Sequence, residues 1–374
     1  MKLQHDMPTR VMAYPGAVAD NGPALAALGT RCLIVTGHSS ARLSGALGDV
    51  TAALDAAGVP WQLYDQIGQN PLLSQCHGGG AAARAFGADF LIGIGGGSPL
   101  DAVKAVAVYA ANPQLEAEQV YGGWPHRALP FALVGTTSGT GSEVTPYAVL
   151  TSDATGKKKS ISGRDLYGVL ALGDGGRYTA SLPRDFTVST ALDALSHSLE
   201  SYFIKKADPL SRSFCLGALQ LLLPQLRALV PPGALPDTQG REELYQASLL
   251  AGMAINRTGT GFCHPMGYVL TEEYGVPHGV ACAVFLGEYL RWSKAQEPRL
   301  FDRLMTDLGT TGEELAGLIA ALTPAPLPVL EDQKIQELLD HWTSANNMKQ
   351  SPGTFDRDRQ REVARRVLQG RKQP

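Results

Sequence analysis

The sequence is short of cysteine, of net charge and of long apolar runs, and each shortage closes off a class of protein. The cysteines are Cys32, Cys76, Cys215, Cys263 and Cys282; their number is odd and no two form a CxxC pair. A disulfide framework is therefore not expected, and a reducing compartment fits best. The formal net charge is only -3. That argues against a nucleic-acid or anionic membrane surface as the main partner. One local basic run exists, Lys157-Lys158-Lys159. The most apolar helix-like stretch, residues 216–230, is interrupted by Gln220, Pro224 and Arg227, so it is too short and polar to span a bilayer. The start of the chain has no apolar core of signal-peptide length. The expectation is a soluble, cytoplasmic protein.

What remains is a packed globular chain: 44% hydrophobic and 18% charged residues are the proportions of a folded protein, not a disordered one. At 374 residues it is long enough for two domains. From about residue 30 to 180, β-type runs alternate with alanine-rich helical stretches. Strands are expected at 31–37, 61–65, 89–97 and 128–137, and helices at 41–57, 73–86 and 99–110. Such alternation implies a parallel α/β sheet, with ligands at the carboxyl ends of the strands. From about residue 184 the strand signal fades. Helices are expected at 187–203, 209–230, 240–256, 280–292 and 312–321, and a last surface helix follows Asp356. The expected division is residues 1–182, a dinucleotide-binding α/β domain, and residues 183–374, an all-helical domain.

Four segments could carry chemistry. The first, GIGGGSPLDAVKA at 93–105, places glycines between a strand and a helix. Gly96 and Gly97 would let backbone approach a diphosphate, Ser98 follows them, and Asp101 lies in the first helical turn, where it suits the nucleotide end of the helix or is only a cap. The same run also serves as a tight turn that binds nothing, and it is not the GxGxxG fingerprint. The second, GTTSGTGSEVT at 135–145, offers Thr136, Thr137 and Thr140 as hydroxyl donors, or is an ordinary loop. In the third, ALDALSHSLESY at 191–202, Asp193 and His197 share a helix face at i,i+4 spacing. That is half of a metal site, or a plain ion pair. The fourth, residues 261–285, contains His264 and His278. One carboxylate with three imidazoles suits Fe²⁺ or Zn²⁺ and is a poor cage for Ca²⁺ or Mg²⁺. Cys263 reads as a small buried residue rather than a ligand.

Together these segments resemble the iron-containing (group III) alcohol dehydrogenases. Gly95-Gly96-Gly97-Ser98 with Asp101 and Lys104 is similar to that family's GGGSxxDxxK, Thr136 through Thr145 to its TTxGTGSEVT, and Asp193, His197, His264 and Pro277-His278-Gly279 to its metal-binding set. The likeness runs from about Tyr14 to Val367. It implies a Rossmann-like dinucleotide domain, a helical metal domain with the active site in the cleft between them, a small alcohol or aldehyde substrate, and a homodimer. It also implies that Gly96, Gly97 and Ser98 contact the pyrophosphate. Thr136 and Thr137 line the adenosine and ribose side, Asn70 lies near the adenosine, and Lys159, or its neighbour Lys158, lies near the cofactor. Two departures stand out. Tyr268 occupies the place of a second histidine near the nicotinamide, and Asp174-Gly175-Gly176 replaces an Asp-Pro dipeptide.

The end of the first expected strand carries Gly37, Ser39 and Ser40, with Arg42 nearby and no acid. A carboxylate there would bind a ribose 2′-hydroxyl and repel a 2′-phosphate. NADP(H) is therefore expected over NAD(H), with Fe²⁺ as the metal and Zn²⁺ as the alternative. Two rival readings are a glycerol-dehydrogenase-like zinc enzyme and a lyase resembling 3-dehydroquinate synthase, whose metal set uses a glutamate. A third is a nucleotide-binding module without catalysis.

Overall fold

The computed structural model describes residues 6–123, 126–323 and 327–369. The chain divides into two compact units. One comprises the chain up to Leu182 together with Asp237–Tyr245; the other comprises Pro183–Pro236 together with the chain from Gln246 onward.

Among the described residues the first unit is built on eight strands: β1 (Arg10–Ala13), β2 (Cys32–Gly37), β3 (Trp61–Ile67), β4 (Phe90–Gly95), β5 (Phe131–Gly135), β6 (Tyr147–Thr151), β7 (Lys158–Ser162) and β8 (Leu170–Gly173). Six of them form a parallel sheet in the order β1-β8-β5-β4-β2-β3. Strands β2, β4 and β5 are almost wholly buried, because helices cover both faces of a parallel sheet and leave no wet side. From β2 the chain steps outward to β3. It then crosses back to β4 and continues the other way to β5. The carboxyl ends of β2 and β4 therefore flank the point where the strand order reverses, which is where sheets of this kind bind ligands.

The expected strands are present. The short edge strand β1, the strand β8 and the antiparallel pair β6-β7 were not foreseen; the first two are only four residues long. The helix expected over 41–57 is two, Ser40–Leu43 and Ala46–Ala56, separated at Gly45, whose φ of 82° belongs to the left-handed region and ends a right-handed helix.

The segment Asp237–Tyr245, read from the sequence as part of the helical half, belongs to the first unit. The reason is visible in three glycines. Tyr245 fills the space beside Gly135, Gly173 and Gly175, where any Cβ would collide with it. Its hydroxyl donates to Glu143 Oε1 at 3.1 Å. Asp174 accepts from the backbone N–H of Gly16 at 2.9 Å and of Arg177 at 3.0 Å, capping the short helix Gly175–Tyr178. The Asp174-Gly175-Gly176 departure is thus a close-packed, capped turn.

The second unit is helical among its described residues. Its central helix, Arg184–Phe203, is buried along nearly its whole length, so beyond its first turn no side of it faces solvent. The expected helix at 280–292 is two, His278–Ala283 and Leu286–Gln296. Between them Phe285 bonds back three residues to Cys282, a tightened turn that bends the chain. The tail helix Arg357–Leu368 is capped by Asp356, whose side chain accepts from Arg359 N at 3.0 Å. Among the described residues no helix is long and apolar enough to cross a membrane.

Candidate metal centre and nucleotide loops

Asp193 and His197 lie one turn apart on the helix Arg184–Phe203. His264 opens the helix Cys263–Tyr274, and His278 opens His278–Ala283. Two glycines let these helices close together. A Cβ on Gly279 would sit 1.8 Å from the backbone oxygen of Ser189 and 2.9 Å from Asp193 N, and one on Gly267 would sit 2.8 Å from the oxygen of Ala281. Only glycine permits such approach, and it carries His278 and His264 to Asp193.

The result is a convergence on a single oxygen. The Nε2 atoms of His197 and His264 both lie 3.7 Å from Asp193 Oδ1, and that of His278 lies 3.8 Å from it. These separations are long for hydrogen bonds. They are close to the spacing of about 3.4 Å between donors that share one tetrahedral cation at metal–ligand distances near 2.1 Å. Among the described residues, Asp193 Oδ1 and His264 Nε2 are buried with no hydrogen-bond partner. Such orphaned atoms are costly unless something fills the space between them. Burial alone would raise the Asp193 carboxyl. His197, His278 and His264 more than offset this and hold it well below the usual carboxylate range. An anion facing three imidazoles is a donor set that fits Fe²⁺ or Zn²⁺. The rings pack closely as well: His197 is stacked on His264 at 4.7 Å, and Tyr268 is stacked on His278 at 5.6 Å. Burial pushes the Tyr268 phenol up to about 12, so its hydroxyl keeps its proton at neutral pH.

Two further residues enter this centre that the sequence reading did not name. Glu200 is fully buried. Its Oε1 accepts from Cys263 N at 2.8 Å and His264 N at 3.4 Å, and its Oε2 accepts from His264 Nδ1. The signal was present: positions 193, 197 and 200 repeat at helical i, i+4, i+7 spacing. The other is Cys282, one turn after His278 on the same helix. Donor atoms of Asp193, His264, His278 and Cys282 all lie within 4.8 Å of one another.

In the first unit the two glycine-bearing loops meet. A Cβ on Gly96 would press on Thr137 at 2.8 Å, and one on Gly97 on Thr140 at 2.8 Å. Thr136 N bonds to Gly95 O at 2.9 Å. The helix Gly97–Ala111 begins here with no side-chain cap, leaving first-turn N–H groups directed outward. Asn70 joins them: its N–H donates to Ser98 Oγ at 3.2 Å, and it is the one non-glycine residue with positive φ, 57°, among the described residues. Gly37, Ser39 and Ser40 stand at the end of β2, on the other side of the switch point.

Three placements bear on the expectation. Asp101 engages both carboxylate oxygens inside the protein, accepting from Ser142 Oγ at 2.6 Å and Val149 N at 2.8 Å. It ties the 136–145 loop to the helix and does not point an oxygen at a diphosphate. Lys159 is exposed on β7 with its ammonium 5.3 Å from the ring of Tyr121. Near β2 an acid is present after all. Asp65 on the neighbouring strand β3 reaches Arg42, in the helix Ser40–Leu43 that follows β2, at 3.5 Å, an approach that sequence distance concealed.

Comparison with known proteins follows the same division. The family pattern described as "Iron-containing alcohol dehydrogenase" matches residues 8–175, and that described as "Fe-containing alcohol dehydrogenase family, C-terminal" matches residues 187–349. The chain is 32% identical over 339 residues to the 1,3-propanediol dehydrogenase of Klebsiella pneumoniae, covering 85% of this chain and 86% of that protein. It is 32% identical over 280 residues to the bifunctional aldehyde-alcohol dehydrogenase AdhE of Escherichia coli, covering 72% of this chain. It spans only 31% of that larger protein's length. The crystal structure of an iron-containing alcohol dehydrogenase from Thermotoga maritima superposes with a TM-score of 0.88 at 32% identity, covering 98% of this chain and 99% of that one. The chain belongs to the iron-containing alcohol dehydrogenase family.

Proposed function

We propose that this chain catalyses reversible hydride transfer between a nicotinamide cofactor and a small primary alcohol or aldehyde, with Asp193, His197, His264 and His278 holding Fe²⁺, or Zn²⁺ in its place. The observation that carries the reading is the meeting of three imidazole nitrogens, 3.7–3.8 Å away, on one buried carboxylate oxygen. Relatives named for alcohols, aldehydes and 1,3-propanediol support the substrate class. When bound, the divalent cation supplies Lewis acidity toward the substrate oxygen.

The rest falls to the chain. Asp193 supplies the anionic charge. Glu200 fixes the proton of His264 on Nδ1, so that Nε2 presents its lone pair to the centre. Tyr268 holds a hydroxyl proton beside His278, where it can exchange with a substrate oxygen. In the α/β unit, Gly96, Gly97 and Ser98 with the bare start of the helix Gly97–Ala111 receive the diphosphate. Thr136, Thr137, Thr140 and Asn70 line the nucleotide beside it.

We further propose that NADP(H) is preferred to NAD(H). Gly37, Ser39 and Ser40 offer neutral donors, and Arg42 offers a cation that Asp65 holds only at 3.5 Å with both side chains partly exposed. Asp65 is the counterargument, since its charge opposes a 2′-phosphate.

The decisive experiment is anaerobic reconstitution with Fe²⁺ or Zn²⁺, followed by an alcohol and aldehyde panel with both cofactors. Net cofactor turnover that is absent in Asp193→Ala, itself folded by circular dichroism, supports the reading. Full activity in that variant, or cofactor that is never turned over, overturns it. A higher kcat/KM with NAD(H) overturns the cofactor preference alone.

A further inference from the structure

The register of β3 against β2 breaks near the carboxyl ends of both strands. Val35 pairs with Tyr64 and Gly37 pairs with Ile67, so Asp65 and Gln66 together stand opposite Thr36. Side chains alternate along a strand, yet Tyr64 and Ile67, three positions apart, both pack in the core cluster of Leu33 and Val35. A bulge absorbs the odd residue, and bulges re-aim the side chains they carry. Here they are Asp65 and Gln66. Gln66 Nε2 donates to Asp65 Oδ1 at 2.7 Å, and Asp65 Oδ2 lies 3.5 Å from Arg42 Nη2. Arg42 belongs to the helix Ser40–Leu43, which opens just past Gly37. The Arg42 side chain is 57% exposed and that of Asp65 34%. An ion pair so long and so wet holds little energy. The guanidinium can therefore turn to another anion, while the carboxylate stays where the bulge puts it.

We infer that Asp65 is a specificity-determining residue of the nucleotide site, one that lowers the advantage of a 2′-phosphorylated nucleotide over its unphosphorylated counterpart. This rests on the nicotinamide-cofactor reading above, in which Gly37, Ser39, Ser40 and Arg42 meet the ribose 2′ position. A 2′-phosphate carries close to two negative charges at neutral pH. It draws Arg42 away from Asp65, and the carboxylate is then left unpaired a few ångströms from a dianion. A ribose 2′-hydroxyl has no charge to repel and leaves the Arg42–Asp65 pair intact. Arg42 and Asp65 therefore act in opposite directions on the same choice, and the wild-type preference is their difference.

The test is a binding measurement, independent of turnover. Titration calorimetry on the purified full-length protein compares adenosine 2′,5′-bisphosphate with 5′-AMP, and the ratio of their dissociation constants is the readout. General damage to the site weakens both ligands and leaves the ratio alone. In Asp65→Asn the ratio is expected to move toward the bisphosphate by about five- to tenfold, the effect of one unit charge on a nearby dianion in water. In Arg42→Ala it moves the other way by a similar factor. Both shifts shrink when the salt is raised to about 1 M, where the screening length falls to about 3 Å. An unchanged ratio in Asp65→Asn, or a shift that salt does not touch, overturns the role of Asp65. A wild type that favours 5′-AMP overturns the NADP(H) preference alone, and a shift in Asp65→Asn still supports the inference. Binding of neither nucleotide to wild type overturns the nucleotide site and the inference with it. Should Asp65→Asn not fold, Arg42→Ala decides: a ratio unmoved there removes the cation that Asp65 opposes.

Discussion

His264 gives its Nδ1–H to Glu200, a carboxylate buried on the same helix that carries Asp193 and His197. The carboxylate oxygens accept every hydrogen bond they make here, two from backbone N–H groups and one from the ring. The imidazole therefore has its proton on Nδ1, and Nε2 is left with its lone pair facing the centre beside Asp193. Glu200→Gln keeps the shape but replaces one acceptor oxygen with an NH₂ group that cannot receive the ring proton. Metal affinity is expected to fall about 10- to 100-fold with the fold intact. Competition against a chelator measures it, and unchanged retention would remove Glu200 from the positioning of His264.

Gly279 is where two helices touch. Replacing it with alanine puts a Cβ 1.8 Å from Ser189 O, with Asp193 N at 2.9 Å. Backbone cannot yield as a flexible side chain would, so the helix His278–Ala283 must shift away from Arg184–Phe203. Gly279→Ala is expected to lose about 1–3 kcal/mol of stability, the usual cost of overpacking, and to weaken metal binding by displacing His278. Gly287→Ala, with open space around its Cβ, is the matched control. Equal denaturation midpoints for the two variants would contradict the close approach.

Tyr268 combines a ring stacked on His278 with a hydroxyl that burial keeps protonated. Tyr268→Phe preserves the stack and deletes the proton. If the hydroxyl exchanges a proton with substrate, kcat falls about 100-fold or more while KM and metal content hold. If it only fills space, kcat does not move. Steady-state kinetics on the metal-loaded protein separate the two outcomes.

Much of this centre was legible in the sequence because helical periodicity is local. Asp193 and His197 announce themselves at i,i+4, and the glycines at 95–97 and 135–141 mark strand ends. What escaped depends on contacts made across the fold. Asp65 reaches Arg42 from the next strand, Tyr245 packs beside glycines about 70 to 110 positions earlier, and Cys282 joins the imidazoles only because Gly267 and Gly279 let three helices close. Asp101 was misjudged for the same reason. A carboxylate in a first helical turn suits a nucleotide loop equally well as ligand or anchor, and only the position of Ser142 and Val149 distinguishes them. Strands of four residues, such as the edge strand β1 and its neighbour β8, are too short to show a period.

The anchor has a partner whose titration can be read. Lys104 is fully buried one turn after Asp101, and its ammonium donates to Ser142 O, Ser142 Oγ, Thr145 O and Tyr147 O at 2.6–3.0 Å. Burial is the main influence and outweighs the attraction of Asp101 and Glu143, lowering its pKa from 10.5 to about 8. Between those two values the folded lysine has released its proton while the unfolded one keeps it. The unfolded state then binds more protons, so this group's contribution to stability rises with pH across that window. The lowering corresponds to at most about 3 kcal/mol. The buried thiols of Cys32 and Cys76, raised by burial, act in the opposite direction, but they are common to wild type and variant. Relative to Lys104→Met, wild type is therefore expected to gain stability as pH rises from about 8 to 10.5, and the difference between them to be flat below pH 8. Urea denaturation of both proteins at several pH values measures it. A difference that stays constant through the window would mean that Lys104 titrates as if exposed, and that the clamp on the 136–145 loop is not the desolvated one described.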